Sequence, residues 1–265
     1  MHNKNYRQGF PPGLTWVTDH KTDVTGIGFG VLNMAVGESL SLQLDAECAW
    51  LLMSGRVVLS SPELGSIEVH RSSLFDDKPV ALHTSAGCRV QIECIEPAEL
   101  TLYQTENSCK FSERLYSPEE TTCEQRGKGS VGDTCWREVR TIFGLGDSFP
   151  ESNLVLGEVI TFPGRWSSYP PHHHPQPEIY HYRFSEPQGY GHAELGEDVV
   201  KVQQFDTVKI LSPDDHAQCA APGYGMYYSW VIRHLPDNRY LEPEFTEAHK
   251  WVMNPAAQYW KPKNS

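Results

Sequence analysis

His172-His173-His174-Pro175-Gln176-Pro177-Glu178 puts two imidazoles of matching parity and a carboxylate close together in the chain. Side chains two apart on an extended segment point the same way, so His172 and His174 can converge while His173 turns away. Pro175 and Pro177 each remove a backbone donor, which predicts a tight loop returning Glu178 to the two imidazoles. The next stretch, Glu178-Ile179-Tyr180-His181-Tyr182-Arg183-Phe184, is rich in β-formers and reads as a strand. Glu178, Tyr180, Tyr182 and Phe184 share one face of it, as expected inside a barrel. Two neutral imidazoles and a carboxylate suit a divalent transition metal. A His-rich run also fits a solvated loop or an adventitious metal-binding tract. The patterned strand that follows favours a built site.

Working outward, short strand-like segments dominate. In the first part they fall at 26–34, 39–44, 49–53, 56–60, 66–70, 89–95 and 99–103, punctuated by Ser54-Gly55, Ser61-Pro62 and Ala86-Gly87. In the second they fall at 154–162, 178–184, 189–195, 199–203, 205–211 and 226–232, with 164–171 expected as a loop feeding the His run. Many short strands with frequent turns predict an all-β protein of two successive β-barrel (jelly-roll) domains. The expected division is a first barrel over 1–104 and a connection over 105–133, where the rhythm breaks into polar and Gly-rich sequence. A second barrel follows over 134–265. Each unit is of ordinary domain size. The aromatic stretch 244–260 is expected to pack on the barrel or on a partner subunit, so a homo-oligomer is an expectation too.

Bulk properties exclude several classes. A formal net charge of -12 argues against nucleic acid and anionic membrane surfaces as partners. A small anionic substrate needs only one or two local cations. There is no apolar run long enough to span a bilayer, and the N-terminal residues lack the apolar core of a signal peptide. The seven cysteines are scattered and form no CxxC pair, so reduced thiols and a cytoplasmic location are expected. Gly26, Gly28 and Gly30 alternate on a strand and lack the spacing of a dinucleotide-binding turn.

A His-x-His-xxx-Glu run followed some forty residues later by a lone His on a strand resembles the metal signature of cupin barrels. The lone residue here is His216, after Leu211-Ser212-Pro213-Asp214-Asp215. It completes an expected ligand set of His172, His174, Glu178 and His216. The segments Trp136 to Ile142, Gly157-Glu158-Val159, Trp166 to His172, Glu178 to Phe184 and Ala220 to Tyr224 followed by Tyr227-Tyr228 resemble the bacterial 5-deoxy-glucuronate isomerase family of inositol catabolism. That family is related to the uronate isomerases of pectin breakdown, bicupins with metal in the C-terminal barrel. The chain departs from the family pattern at His173, where Lys is usual, and at Pro175 and Gly225, where Asp is common. It also departs in the more acidic approach Pro213-Asp214-Asp215. The substrate is therefore either the same uronate or a close relative.

The resemblance implies conversion of 5-deoxy-D-glucuronate to 5-dehydro-2-deoxy-D-gluconate, with no organic cofactor. Such an isomerisation removes a proton next to a carbonyl, and a bound cation stabilises the resulting negative charge. Zinc is the first expectation; manganese, iron, nickel or cobalt would also suit the donors. Glu178 and Tyr182 are the candidate catalytic groups. Tyr180, Arg165 and Arg183 are the candidates for holding the substrate, with Arg137 in reserve, although strand alternation turns Arg183 away from Glu178. The first half has no His-x-His, and His70 and His83 are isolated, so no metal is expected there. A metal-dependent cupin dioxygenase or oxidase is the alternative enzyme class, and a sugar-binding bicupin without turnover is the alternative outside enzymes.

Overall fold

The structure, a computed structural model, describes residues 1–146, 149–211 and 214–263. The described part is built almost wholly of β-strands. Nine come first: β1 His2–Asn3, β2 Gly13–Thr18, β3 Gly28–Met34, β4 Ser39–Gln43, β5 Glu47–Ser61, β6 Gly65–Arg71, β7 Ala81–Thr84, β8 Arg89–Thr105 and β9 Arg114–Tyr116. The rest are β10 Thr122–Arg126, β11 Arg137–Phe143, β12 Leu154–Thr161, β13 Trp166–His173, β14 Glu178–Phe184, β15 Tyr190–Leu195, β16 Asp198–Gln203, β17 Thr207–Ile210, β18 His216–Ala220, β19 Met226–Arg233 and β20 Glu244–Phe245. None of the helical segments among the described residues is long and apolar enough to cross a membrane.

The strands form three sheets. One runs β2-β3-β8-β5-β7-β9, with β4 on β8 and β6 on β5. The second runs β1-β17-β14-β19-β12-β11-β10 and the third β16-β15-β18-β13-β20. The extreme N-terminus therefore lies in the second sheet, where His2 and Asn3 pair with Val208 and Thr207, although the sequence places it with the first barrel. In the connection 105–133, β9 joins the first sheet and β10 the second.

Two pairs of expected strands are each continuous. Segments 49–53 and 56–60 merge into β5, and 89–95 and 99–103 merge into β8. Ser54-Gly55 is a bulge rather than a turn: the register shifts there, and Gly55 adopts φ 93° with a Cβ position 2.2 Å from the Pro97 carbonyl oxygen. Only glycine tolerates both that φ and that approach, so the paired strands bend together without ending. The segment 164–171, expected as a loop, is mostly strand β13. Its pairing to β18 breaks between Ser167 and His172, and Pro170 and Pro171 occupy the break, where no ladder donor is required.

Alternation along the strands fills three apolar cores. Leu32, Trp50, Leu52, Leu100 and Leu102 fill the interior of the first half. Their neighbours Val31, Ala49, Leu51, Met53 and Tyr103 point the other way, onto Leu154, Leu156, Ile179, Tyr227 and Val231 of the second half. The opposite faces of those second-half strands carry Val155, Tyr180, Tyr182, Tyr228 and Trp230 into the second interior. β12 and β14 are consequently buried on both faces. Each fully buried large apolar side chain contributes about 1.5–3 kcal/mol, so this shared layer fixes the two halves to each other.

Candidate metal centre and substrate cavity

The His run lies where the two sheets of the second half face each other. β13 delivers His172, the turn after it His174, and β18 opens with His216 directly opposite His172 in register. Glu178 opens β14 on the facing sheet. All four side chains are buried. His173 turns outward as its parity demands and bonds Asp215 at 2.7 Å. Of the expected Pro213-Asp214 turn before His216, Ser212 and Pro213 lie outside the described residues.

His174, Glu178 and His216 form a group that could hold a metal ion, their donor atoms all within 4.8 Å of one another. Glu178 Oε2 stands 3.3 Å from His174 Nε2 and 3.5 Å from His216 Nε2. Two donors each about 2.1 Å from a tetrahedral ion are about 3.4 Å apart, so this spacing fits one. The tautomers fit as well. Nδ1 of His172, His174 and His216 faces the carbonyl oxygens of Pro170, Gln176 and Asp214 at 3.3, 2.8 and 3.4 Å. A carbonyl only accepts, so each Nδ1 carries the proton and each Nε2 presents a lone pair. His216 Nε2 is buried without a hydrogen-bond partner. Lone pairs on two buried imidazoles and a carboxylate, aimed at one another, repel, and a cation among them relieves that repulsion. His172 stands outside the tight group, its ring centroid 4.3 Å from that of His216.

Burial favours neutral imidazoles, the form in which histidine binds a metal. It pushes His172 down to about 4, and pushes His216 well below the usual imidazole value, with the neighbouring histidines adding to the effect. It pushes the Glu178 carboxyl up, opposed by the contact with His174.

A cavity of about 270 Å³ opens onto His172, His174 and Glu178. The inner face of the seven-stranded sheet walls it with Val139, Thr141, Val159, Tyr180, Trp230 and Ile232. Tyr240 covers His174 at 5.0 Å between centroids, and Phe245 covers His172 at 5.7 Å. Part of the expected packing stretch 244–260 thus borders the site, since β20 pairs with β13 through His172 and His173.

The other expected site residues are distributed unevenly. Tyr180 lines the cavity and its ring meets His216 at 6.0 Å. Tyr182 shares the inward face but sits deeper, fully buried, its hydroxyl donating to Gln218 Oε1 at 2.7 Å, and it does not line the cavity. Arg165 donates to the Gly132 carbonyl oxygen and points elsewhere. Arg183 faces the first half, where it binds Glu99 at 2.6 Å. The arginines at the cavity are Arg137 and Arg126. Arg137 shares parity with Val139 and Thr141 on β11 and lies in the segment Trp136 to Ile142 that carries the family resemblance. Tyr240 and Arg126 have no comparable signal, because a loop and a chain crossing bring them in.

A model of the KduI/IolB family matches residues 2–252. The chain belongs to the KduI/IolB family. It is 27% identical over 271 residues to the 5-deoxy-glucuronate isomerase of Halalkalibacterium halodurans, across 94% of this chain and 97% of that one. It is 28% identical over 258 residues to the 5-deoxy-glucuronate isomerase of Bacillus subtilis strain 168, across 89% and 91%. Among solved structures, an IolB-like protein from Salmonella typhimurium LT2 superposes with a TM-score of 0.78 at 24% identity, covering 92% of this chain and 96% of that one. Oxalate decarboxylase from Bacillus subtilis superposes with a TM-score of 0.58 at 12% identity, covering 83% and 70%. At such identities the structural likenesses establish fold alone: this family member is an all-β bicupin.

Proposed function

We propose that the protein is a metal-dependent aldose–ketose isomerase that converts 5-deoxy-D-glucuronate to 5-dehydro-2-deoxy-D-gluconate. The observation that carries the reading is the convergence of buried donor atoms from His174, His216 and Glu178 beside a cavity that His174 and Glu178 line. The full-length relatives named for that reaction support it. His174, Glu178 and His216 would hold a divalent transition ion, zinc in first place, with His172 as fourth ligand. When bound, the ion supplies Lewis acidity toward the carbonyl and adjacent hydroxyl of the open-chain sugar.

The chain's own groups supply the rest. Glu178 Oε2 faces the two imidazoles, which leaves Oε1 to accept the C2 proton and return it to C1. The hydroxyl proton passes from O2 to O1 in the same conversion, so the C1 carbonyl becomes a hydroxyl and the C2 hydroxyl a carbonyl, with no net oxidation. Burial raises the Glu178 carboxyl, which makes its carboxylate a stronger base. Tyr180 follows Glu178 on the same face of β14, lines the same cavity and would orient its carboxylate. Val139, Val159, Trp230 and Ile232 keep the proton path dry.

The test is isomerisation of 5-deoxy-D-glucuronate by the metal-reconstituted protein, followed by NMR, with 4-deoxy-5-hexosulose-uronate as comparison. Appearance of the ketose without oxygen uptake supports the reading. A metal-loaded, folded protein that leaves both uronates unchanged overturns it, and oxygen consumption with another substrate would move it to the oxidative class.

A further inference from the structure

We propose that Arg137 and Arg126 form an anion subsite in the cavity that receives the substrate carboxylate. The subsite rests on the isomerase reading only for the identity of the anion. β10 and β11 pair so that Arg126 lies directly opposite Arg137, and both line the cavity. Like charges directly opposite on adjacent strands destabilise a sheet. The cost is sharpest at Arg137, which is only 9% exposed. Its Nη1 donates to the Cys135 carbonyl oxygen at 3.0 Å, and its Nε has no partner. Among the described residues no carboxylate lies within ion-pair distance of it. A guanidinium does not shed its proton to escape burial, so the charge persists and calls for a counter-ion.

The other arginines of the structure show what satisfaction looks like. Arg71 and Arg183 are still more buried, and each is bonded to a carboxylate at 2.6 Å. Arg126 is exposed and holds Glu124 through Nε at 2.9 Å. Arg137 is thus a buried donor fork lacking an acid and facing the space that His172, His174 and Glu178 also face. A planar fork pairs with a carboxylate through two parallel hydrogen bonds. A sugar acid seated with its carboxylate on Arg137 would direct its aldehyde end toward the imidazoles. The subsite also selects: a neutral aldose leaves Arg137 desolvated and unpaired.

The test uses the full-length, metal-loaded protein and the variants R137M, R137K and R126Q. Turnover is compared on 5-deoxy-D-glucuronate and on 5-deoxy-D-xylo-hexose, in which CH2OH replaces the carboxylate. R137M is expected to lower kcat/KM for the uronate about 10- to 100-fold while sparing the neutral sugar, with R137K recovering part of the loss. Equal loss on both sugars would overturn the subsite. Should R137M fail to fold, R137K and R126Q carry the same comparison. Binding of D-glucuronate against D-glucose, measured by ligand-observed NMR, separates the two proposals. If the wild type isomerises neither sugar yet binds glucuronate and R137M does not, the isomerase reading falls and the subsite stands. Glucuronate binding that survives R137M overturns the subsite whatever the turnover.

Discussion

Arg71 and Glu158, both fully buried, join the two halves through a two-pronged ion pair of 2.6 and 2.9 Å. Tyr227 donates to the same carboxylate at 2.6 Å, and Arg71 also reaches the carbonyl oxygens of Leu52 and Asp77. Arg140 Nη1 stands 3.6 Å from the same carboxylate, so it is removal of Glu158 that leaves Arg71 buried and uncompensated, at a cost of about 3–5 kcal/mol. E158Q is therefore expected to lower unfolding free energy by that order, and R71M/E158Q by less than the sum of the single changes. Additive losses in a denaturant double-mutant cycle would show that the two residues do not act as a pair.

Metal retention should follow the geometry at the His run. H174A, E178A and H216A are expected to lose most of the metal, because each removes a member of the tight donor group. H172A should keep metal with weakened affinity, and H173A should keep it unchanged, since His173 faces Asp215. Elemental analysis of the purified variants after tag removal decides this; equal retention in all five would refute the assignment.

The two inward tyrosines should separate by readout. Y180F removes a hydroxyl beside Glu178 and is expected to lower kcat about tenfold at near-constant stability. Y182F leaves Gln218 Oε1 without its buried donor and is expected to cost about 1–3 kcal/mol of stability, with kcat preserved. The opposite pattern would move Tyr182 into the reaction.

The cross-half carboxylate Glu47 should set part of the acid stability. Burial pushes it up, but bonds from His83, Ser152 and the Asn153 amide outweigh this and hold it below the usual 4.5. The folded state then takes up a proton less readily than the unfolded one. The resulting stability is fully present above about pH 4.5 and is lost as pH falls through the folded value. Urea midpoints measured from about pH 6 to about pH 3 should fall less steeply for E47Q than for the wild type. Parallel curves would exclude the contribution.

Turnover in deuterium oxide should place deuterium on C1 of the former aldose when Glu178 exchanges with solvent between the two proton transfers. Chelation should stop turnover and a divalent metal restore it. Activity that survives exhaustive chelation would separate the reaction from the His run.

The periodicity of the sequence determined which residues face each other locally. Parity alone turned His172 and His174 inward and His173 outward, and it put Glu178, Tyr180 and Tyr182 on one face. A strand repeats every two residues whatever surrounds it, so these facts need no tertiary information. Parity carries no depth, which is why Tyr180 and Tyr182 look equivalent in the sequence although only Tyr180 reaches the cavity. Nor does it say what lies across a face: Arg183 meets Glu99 of the first half, while Arg137 meets an open cavity. The bulge at Gly55, the N-terminal strand laid on the second sheet, and Tyr240 over His174 all depend on chain segments distant in sequence. Those contacts are set by how the sheets pack, and the packing is decided only when both faces of β12, β14 and β19 find partners at once.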